Sequence, residues 1–247
     1  MAKAQGGFFA RVWRITKRVF LILFIAQFVY ILLLKWVNPP ITITQLVSWV
    51  SGHGLKRDYV SKNNTSYQAR LAVIASEDQL FADHSGFDWN SIEKAMQYNQ
   101  KKPNRIRGGS TISQQVAKNV FLWQGRDYIR KGLEVYFTFM IELIWGKERI
   151  LEVYLNVIEM GNGIFGIEAA SQAYFNKSAA GLNRTEAAMI AACLPNPKRF
   201  TVKPLSKPVA IRYPWVIRQM NNLDGDEDIS RIINKASPAK KSSKKTR

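Results

Sequence analysis

The sequence contains little cysteine, histidine or acid. Its 247 residues include one cysteine and two histidines, and lysine plus arginine outnumber aspartate plus glutamate by 36 to 18. The lone Cys193 cannot form a disulfide within the chain, and its apolar neighbours at residues 187–194 predict a small buried side chain. So few histidines and cysteines argue against a zinc site built from protein ligands. The Walker phosphate loop and the glycine pattern of dinucleotide-binding folds are absent, which argues against the common nucleotide-binding classes.

The net charge of +18 predicts anionic partners. Nucleic acid, acidic lipid head groups and a phosphorylated substrate all carry such charge, and net charge alone does not distinguish them. The apolar fraction of 47% is enough for one domain with a full core and additional segments.

One apolar segment indicates an association with the membrane, which net charge alone does not. Residues 19–34 are apolar apart from one glutamine, and Tyr30, Lys35 and Trp36 stand toward the far end, which predicts a membrane helix. Four basic residues precede it: Arg11, Arg14, Lys17 and Arg18. By the positive-inside rule they leave the N-terminus in the cytoplasm and the residues after Asn38 outside. A cleaved signal peptide is the alternative, but no small-residue cleavage site follows, which favours an uncleaved anchor.

Composition and periodicity divide the chain into six segments. We predict a basic cytoplasmic N-terminus at 1–18, an anchor at 19–37, a connector at 38–66, a folded domain at 67–204, a C-terminal extension at 205–235 and a disordered basic tail at 236–247. Helical patterns dominate the folded domain, so its fold class is mostly α. The predicted helices cover residues 67–81, 89–100, 111–122, 128–145, 147–158, 166–175 and 184–194.

Residues 107–119 bring together two glycines, hydroxyls, amides and one cation. A helix capped by Ser110 or Thr111 would turn free N–H groups and its positive dipole end toward an anion. Helical spacing then places a set of polar side chains on one face: Thr111, Gln114, Gln115 and Lys118. An ordinary amphipathic helix is the alternative, but uncharged Gln and Ser occupy positions where a surface helix usually carries Glu and Lys. The segment therefore predicts a site for an anionic, hydroxyl-rich ligand.

Glu77 lies on the same helical stripe as the apolar Val73, Ile74 and Phe81. A carboxyl group in such surroundings has a raised pKa, as general acids and bases require. The alternative is a structural acid paired with His84 or Arg70.

A second acid, Glu134, follows Arg130 by four residues and Lys131 by three, which is the spacing of an ordinary helix salt bridge. If this helix faces the one that carries Lys118, then Lys118, Arg126 and Arg130 form a site suited to a diphosphate. The spacing leaves open whether they converge.

Five blocks, in this order, resemble the peptidoglycan glycosyltransferase family, which forms the first domain of class A penicillin-binding proteins and also occurs as monofunctional transglycosylases. The blocks are residues 77–81 with His84 and Gly86, residues 108–119, Arg130-Lys131 with Glu134, residues 147–156 and residues 161–166. The resemblance covers roughly residues 67–200, with small departures at Ser113 and Gly146. Since few residues follow Phe200, we expect the monofunctional form.

The resemblance implies a lysozyme-like, two-lobed α fold, with a head and a membrane-contacting jaw, after one N-terminal transmembrane helix. It implies that lipid II is polymerised into linear glycan strands by inverting transfer, with the growing chain as donor and polyprenyl diphosphate leaving. Glu77 is then the base for the acceptor's 4-hydroxyl group, and Glu134 is a second essential acid with an electrostatic role. Substrate contacts are assigned to Asp78, Phe81, His84, Gly109, Ser110, Thr111, Gln114, Gln115, Lys118, Asn119, Arg126 and Arg130.

The same resemblance implies a place and partners for the chain. We expect a single-pass protein of the bacterial inner (plasma) membrane, with its catalytic domain in the periplasm. The partners are lipid II, the growing glycan chain, the membrane and other cell-wall synthesis or division proteins, and no nucleic acid. No cofactor is required, and a divalent cation, Mg²⁺ or Mn²⁺, at the diphosphate stays open.

Two other functions remain open. A membrane-anchored muramidase would use Glu77 as an acid, since a lysozyme-like fold can cleave glycan as well as build it. A non-catalytic cell-wall binding or scaffold protein would tolerate the loss of Glu77. The cations at positions 118 and 126 favour a phosphate leaving group, which a muramidase does not need.

Overall fold

The computed structural model describes residues 3–102, 108–125 and 127–233. The chain divides into two compact units, Met1–Asn38 and Pro39–Arg247. The first unit contains helix α1 (Lys3–Leu33), which is long and apolar enough over Gly7–Leu33 to cross a membrane. The helix begins well before the predicted start of the anchor at residue 19, because the basic N-terminal stretch is helical as well. The anchor's limits at 19–37 stay a prediction.

The described part of the second unit is largely helical. Its helices are α2 (Ile43–Val50), α3 (Tyr67–Glu77), α4 (Trp89–Lys101), α5 (Ile112–Phe121), α6 (Tyr128–Ile144), α7 (Lys147–Val157), α8 (Ile167–Phe175), α9 (Arg184–Cys193), α10 (Lys207–Leu223) and α11 (Glu227–Ile232). Three short strands, β1 (Lys56–Arg57), β2 (Glu159–Gly161) and β3 (Ile164–Phe165), form one sheet in the order β1-β3-β2. Strand β3 pairs parallel with β1 and antiparallel with β2.

The helix predictions are confirmed for α4 to α9, with ends that differ by one residue at most. Helix α3 ends at Glu77 rather than at residue 81, because Asp78 leaves helical geometry (φ −160°, ψ 77°). Its carboxylate accepts a hydrogen bond from the backbone N–H of Ile112, which ties the end of α3 to the beginning of α5. Glu77 therefore becomes the last helical residue, at a helix end where a turn opens.

The predicted C-terminal extension contains a long helix that its weak patterning did not indicate. Helix α10 packs against α3 and α9. Its buried residues Val209, Val216 and Met220 form one narrow stripe, and Pro214 lies within the helix. A stripe this narrow produces little periodic signal, although the helix covers one side of α3.

Helix α3 is the buried centre of the unit. Its residues from Leu71 to Ser76 are all buried, with α9 and α10 packed against them. Truncating one such side chain, Ile74→Ala for example, costs about 2–5 kcal/mol. Helix α5 packs against both α6 and α7. The three helices that carry Glu77, Lys118 and Glu134 are thus held by core packing rather than by loops.

Candidate active site

Glu77 is largely buried at the end of α3, with 13% of its side chain exposed. Its Oε2 accepts a hydrogen bond from Gln115 Nε2 at 3.0 Å, and its Oε1 lies 3.2 Å from the Ser76 hydroxyl group. Among the residues that the structure describes, the nearest cation is the Arg212 guanidinium group, 3.9 Å from Oε1. Burial raises the pKa of Glu77 above its ordinary value, and the bonds from Gln115 and Ser76 and the charge of Arg212 offset part of that rise.

Gln115 is oriented by a buried tyrosine. The Tyr154 hydroxyl group donates to Gln115 Oε1 at 3.2 Å. Burial raises the pKa of Tyr154 well above its usual value, so this phenol stays a protonated donor. Because the amide oxygen of Gln115 is engaged, its N–H₂ group faces Glu77. Tyr154 of α7 thus orients Gln115 of α5, and Gln115 in turn fixes Oε2 of Glu77.

Two cavities meet beside this carboxylate. The larger, about 820 Å³, is lined by Glu77 and by residues of α4, α10 and the segment before α5. The smaller, about 550 Å³, is lined by α5, α6 and the residues between them. Ser110 and Gln115 line both cavities, so Gln115 stands where they adjoin and also bonds to Glu77.

The smaller cavity contains the second acid in a compensated state. Glu134 Oε2 accepts from Arg130 Nη1 at 2.6 Å, and Glu134 Oε1 accepts from Lys131 Nζ at 2.5 Å. The side chains of Glu134 and Arg130 are 4% and 9% exposed. Both carboxylate oxygens of Glu134 are thus engaged by cations, and the carboxylate holds these two side chains in place.

Lys118 faces the same cavity from α5. Burial lowers its pKa; Glu134 raises it in part, and the charges of Arg130 and Lys131 lower it further. The described part of the lining thus combines three cations with one carboxylate, an excess that suits a diphosphate. Lys118 and Arg130 thus line one cavity, a point that their spacing in the sequence left open. The predicted Arg126 lies outside the described residues.

Some of the predicted binding residues form the frame around the cavities. His84 Nε2 lies 2.9 and 3.1 Å from the two carboxylate oxygens of Asp78, which also accepts from Ile112 N. Phe81 is fully buried, and the Lys147 ammonium group lies 4.6 Å from its ring centroid. Asp78 also lines the larger cavity, whereas Phe81 and His84 line neither.

The alternative that paired Glu77 with His84 or Arg70 is wrong in this structure. The carboxylate that faces His84 is that of Asp78, and the described partners of Glu77 are Gln115, Ser76 and Arg212. Asp78 leaves helical geometry where α3 ends, so residues 77 and 78 have different partners although both line the larger cavity. Helical periodicity, extended to residue 81, could not show this.

The beginning of α5 is built as the sequence indicated. Thr111 is its N-cap and forms a capping box with Gln114, and the Thr111 hydroxyl group donates to the Gly86 carbonyl oxygen at 2.7 Å. Gly86 has φ +92°, and a Cβ there would lie 2.8 Å from Thr138 Cγ2, so this position requires glycine. Gly109 approaches the backbone of α4 closely, with Ser91 O 3.0 Å from where a Cβ would be.

Asn119 and Ser110 complete the predicted set. Asn119 Nδ2 donates to the Gln115 carbonyl oxygen, and its amide oxygen accepts from Thr44 and Gln124. It therefore connects α5 to α2 rather than facing a cavity. Ser110 is exposed and lines both cavities.

Sequence reasoning missed two parts of the site. Arg212 and Trp215 of α10 line the larger cavity, and no motif pointed to them. Glu142 of α6 connects α5 to α7: its Oε1 accepts from Ser113 Oγ at 2.5 Å and from Lys147 Nζ at 2.7 Å. A lone glutamate in the apolar run 135–145 was the available signal for this second group, because a buried charge requires partners.

Comparison with known proteins identifies the family. Residues 44–221 match the family model described as transglycosylase. The chain is 53% identical over 185 residues to a biosynthetic peptidoglycan transglycosylase from Escherichia coli, covering 74% of this chain and 76% of that protein. It is 47% identical over 232 residues to a protein of the same name from Yersinia pestis, covering 91% and 96%. The chain therefore belongs to the transglycosylase family, and its largely helical second unit is the lysozyme-like domain of that family.

Proposed function

We propose that this chain polymerises lipid II into linear glycan strands, with Glu77 as the general base and polyprenyl diphosphate as the leaving group. Membership of the family makes the chain a peptidoglycan glycosyltransferase. The proposal adds the assignment of roles to residues. The observation that carries it is the position of Glu77, a desolvated carboxylate that is bonded through Gln115 to the helix bearing Lys118.

The base step follows from the surroundings of Glu77. The 4-hydroxyl group of the acceptor sugar attacks the anomeric carbon of the donor from the face opposite the diphosphate, so the configuration inverts. The new C–O bond forms as the bond to the diphosphate breaks, and the hydroxyl proton passes to Glu77. Burial raises the pKa of Glu77, which makes the carboxylate a stronger base than an exposed glutamate.

The leaving group calls for cations rather than for an acid. A diphosphate departs as an anion, and charge that develops on it is stabilised by preorganised positive groups. Lys118, Arg130 and Lys131 line the smaller cavity, and Glu134 fixes the last two. We assign the donor diphosphate to this cavity and the acceptor sugar to the larger one beside Glu77. This differs from a glycosidase, in which a second carboxyl group protonates the departing sugar.

We expect the cations of the protein to carry most of the charge balance of the diphosphate, so that no cofactor is required. Among the residues that the structure describes, no group of three or more His, Cys, Asp or Glu side chains is placed to hold a metal. Both oxygens of Glu134 are engaged by cations, so it does not fit a metal ligand. Mg²⁺ or Mn²⁺ would be bound by the substrate diphosphate, with the protein cations as the principal charge partners.

The membrane assignment rests on α1. Its apolar stretch fits a single-pass anchor. We propose that the N-terminus lies in the cytoplasm, on the evidence of the basic residues near it, and that the second unit works in the periplasm at the inner membrane. A substrate with a polyprenyl tail is confined to that membrane, so an anchored enzyme encounters it in two dimensions. Division or elongation proteins are further partners under this proposal.

The test is polymerisation of purified lipid II by the full chain in detergent. Glu77→Gln is expected to abolish long glycan while lipid II still binds, since the amide keeps the shape but cannot accept the proton. Glu93→Gln is the matched control, because Glu93 is exposed on α4 and lines neither cavity. Undiminished polymer from Glu77→Gln would contradict the mechanism. Cleavage of purified glycan by the wild type without polymerisation would favour a hydrolase.

A further inference from the structure

Helix α10 brings a cation to the end of α3 from a region without sequence motifs. Arg212 Nη2 donates to both the carbonyl oxygen and the hydroxyl oxygen of Ser76, each at 3.2 Å. It stands 3.9 Å from Glu77 Oε1. Since α10 packs directly against α3, this contact is part of the packed domain rather than of a surface loop.

The contact supplies a hydrogen-bond donor to a carbonyl group at the C-terminal end of α3. The last carbonyl groups of a helix have no intrahelical partner and carry partial negative charge. In α3, Gln79 Nε2 donates to the Ala75 carbonyl oxygen at 3.2 Å, and Arg212 donates to the next one, that of Ser76. Arg212 is therefore a cap on the helix end that presents Glu77, and a cation is the favoured cap there.

Arg212 is itself held in place. Its guanidinium carbon lies 5.0 Å from the centre of the Trp215 ring, one turn further along α10. Stacking on an aromatic face restricts a long side chain to one orientation and leaves its N–H groups free to donate. Arg212 lines the larger cavity, and 32% of its side chain is exposed. It is held by Ser76 on one side and by the Trp215 ring on the other.

The Ser76 hydroxyl group links the cap to the carboxylate. It lies 3.2 Å from Glu77 Oε1 and 3.1 Å from the Ala191 carbonyl oxygen, and its single proton can serve only one of the two. Arg212 occupies a lone pair of the same oxygen. An ionised Glu77 draws the proton toward itself, and Arg212 favours that ionised state from the other side.

We infer that Arg212 is a positioning residue for the proposed reaction: it caps α3, fixes the Oε1 side of Glu77 and keeps the carboxylate ionised between turnovers. This inference rests on the proposed function, since it requires Glu77 to be the base. Gln115 holds the other oxygen of the carboxylate, so Glu77 has a hydrogen-bond donor at Oε2 and the Ser76 hydroxyl group, itself bonded to Arg212, beside Oε1.

Other titratable groups around Glu77 do not replace this cation. Asp78 is adjacent on the chain and raises the pKa of Glu77. Tyr154 on α7 and Cys193 on α9 are instead acted on by Glu77: burial, with the charge of Glu77, raises the pKa of Tyr154 well above its usual value and that of Cys193 to about 12, so both stay neutral at neutral pH. Among the described groups that act on Glu77, Arg212 is the one that lowers its pKa by positive charge.

The test compares Arg212→Gln and Arg212→Lys with the wild type in lipid II polymerisation between pH 5.5 and 9. For Arg212→Gln we expect kcat/KM at pH 6 to fall roughly three- to tenfold, with the acidic limb of the profile moved to higher pH and the rate recovering on the alkaline side. KM for lipid II stays near the wild-type value. Arg212→Lys restores the charge without the planar fork, so its acidic limb lies between the other two.

Arg218→Gln is the matched control, because Arg218 is exposed on the same helix and lines neither cavity. Its profile should match the wild type. A raised KM with an unmoved acidic limb in Arg212→Gln would overturn the inference, and so would an unchanged profile or a Lys variant displaced as far as the Gln variant. If wild type polymerises lipid II and Glu77→Gln does not, such a result rejects the role of Arg212 alone. An active Glu77→Gln variant rejects the proposed function itself.

Discussion

The two acids of the site are buried to similar degrees but balanced in opposite ways. Glu134 is 4% exposed and has a cation at 2.6 Å on one oxygen and a cation at 2.5 Å on the other. Glu77 is 13% exposed, and the nearest cation in the described part of the chain is a partly exposed arginine, Arg212, at 3.9 Å. Burial makes a carboxylate basic only when its charge is incompletely compensated. The comparison therefore supports the proposed roles, proton transfer for Glu77 and an electrostatic role for Glu134.

The difference arises from how each environment is built. Arg130, Lys131 and Glu134 are neighbours within one helix, at spacings of three and four, so their pairing is local. The partners of Glu77 come from α5 and α10 and from the residue before it. An environment assembled from distant helices can leave a charge partly unsatisfied, because tertiary packing sets its geometry.

The largest effect on activity is expected from removing a cation of the smaller cavity. Lys118→Ala should lower kcat/KM about 10²- to 10³-fold, as loss of one preorganised group that stabilises a developing anion does elsewhere. Lys101→Ala is the control, because Lys101 is exposed at the end of α4 and lines neither cavity. Initial rates of lipid II polymerisation measure the loss of kcat/KM in both variants. A Lys118→Ala variant with wild-type kcat/KM would remove the diphosphate assignment.

Removing the compensated acid should chiefly affect stability. Glu134→Gln leaves the guanidinium group of Arg130 buried without its carboxylate, which costs about 3 kcal/mol of unfolding free energy. Lys131 adds little because its side chain is 48% exposed. Chemical unfolding in detergent measures the loss. The double variant Arg130→Met with Glu134→Leu should recover part of it, and unchanged stability in Glu134→Gln would show that the pair is not the fixed element described.

Removing the incompletely compensated acid, Glu77, should change the stability in the opposite direction. Burial raises the pKa of Glu77 in the folded chain, so the stability linked to its protonation is present below the unfolded pKa and is lost as pH rises through the folded pKa. At pH 8 the wild type therefore bears a buried anion that Glu77→Gln lacks. Thermal unfolding should give the variant the higher Tm at pH 8, with the difference shrinking toward pH 4. A lower Tm for the variant at pH 8 would mean that Glu77 is as well compensated as Glu134.

Chelation should have the smallest effect. Because protein cations line the smaller cavity, EDTA should reduce the polymerisation rate less than Lys118→Ala does. Rates with and without EDTA, followed by Mg²⁺ or Mn²⁺ addition, measure this. Complete loss in EDTA that either metal restores would assign the leaving-group charge to a bound ion.

The sequence predicted those parts of the fold and site that depend on local patterns. Helices α4 to α9 and the Thr111 cap follow from periodicity and capping residues. Contacts across the chain were not predictable in this way. Arg212 and Ser76 are 136 residues apart, and His84 faces Asp78 only because α3 ends at Glu77. No single-helix pattern contains that information.

The pH dependence of single-turnover glycan formation is the most direct test of the two roles. The wild type should show an acidic limb that reflects Glu77, displaced upward from an ordinary glutamate because burial raises its pKa. Glu134→Gln should keep that limb at reduced amplitude, and Glu77→Gln should be inactive at every pH. A Glu134→Gln profile without the limb, or measurable turnover by Glu77→Gln, would contradict the assignment of Glu77 as the base.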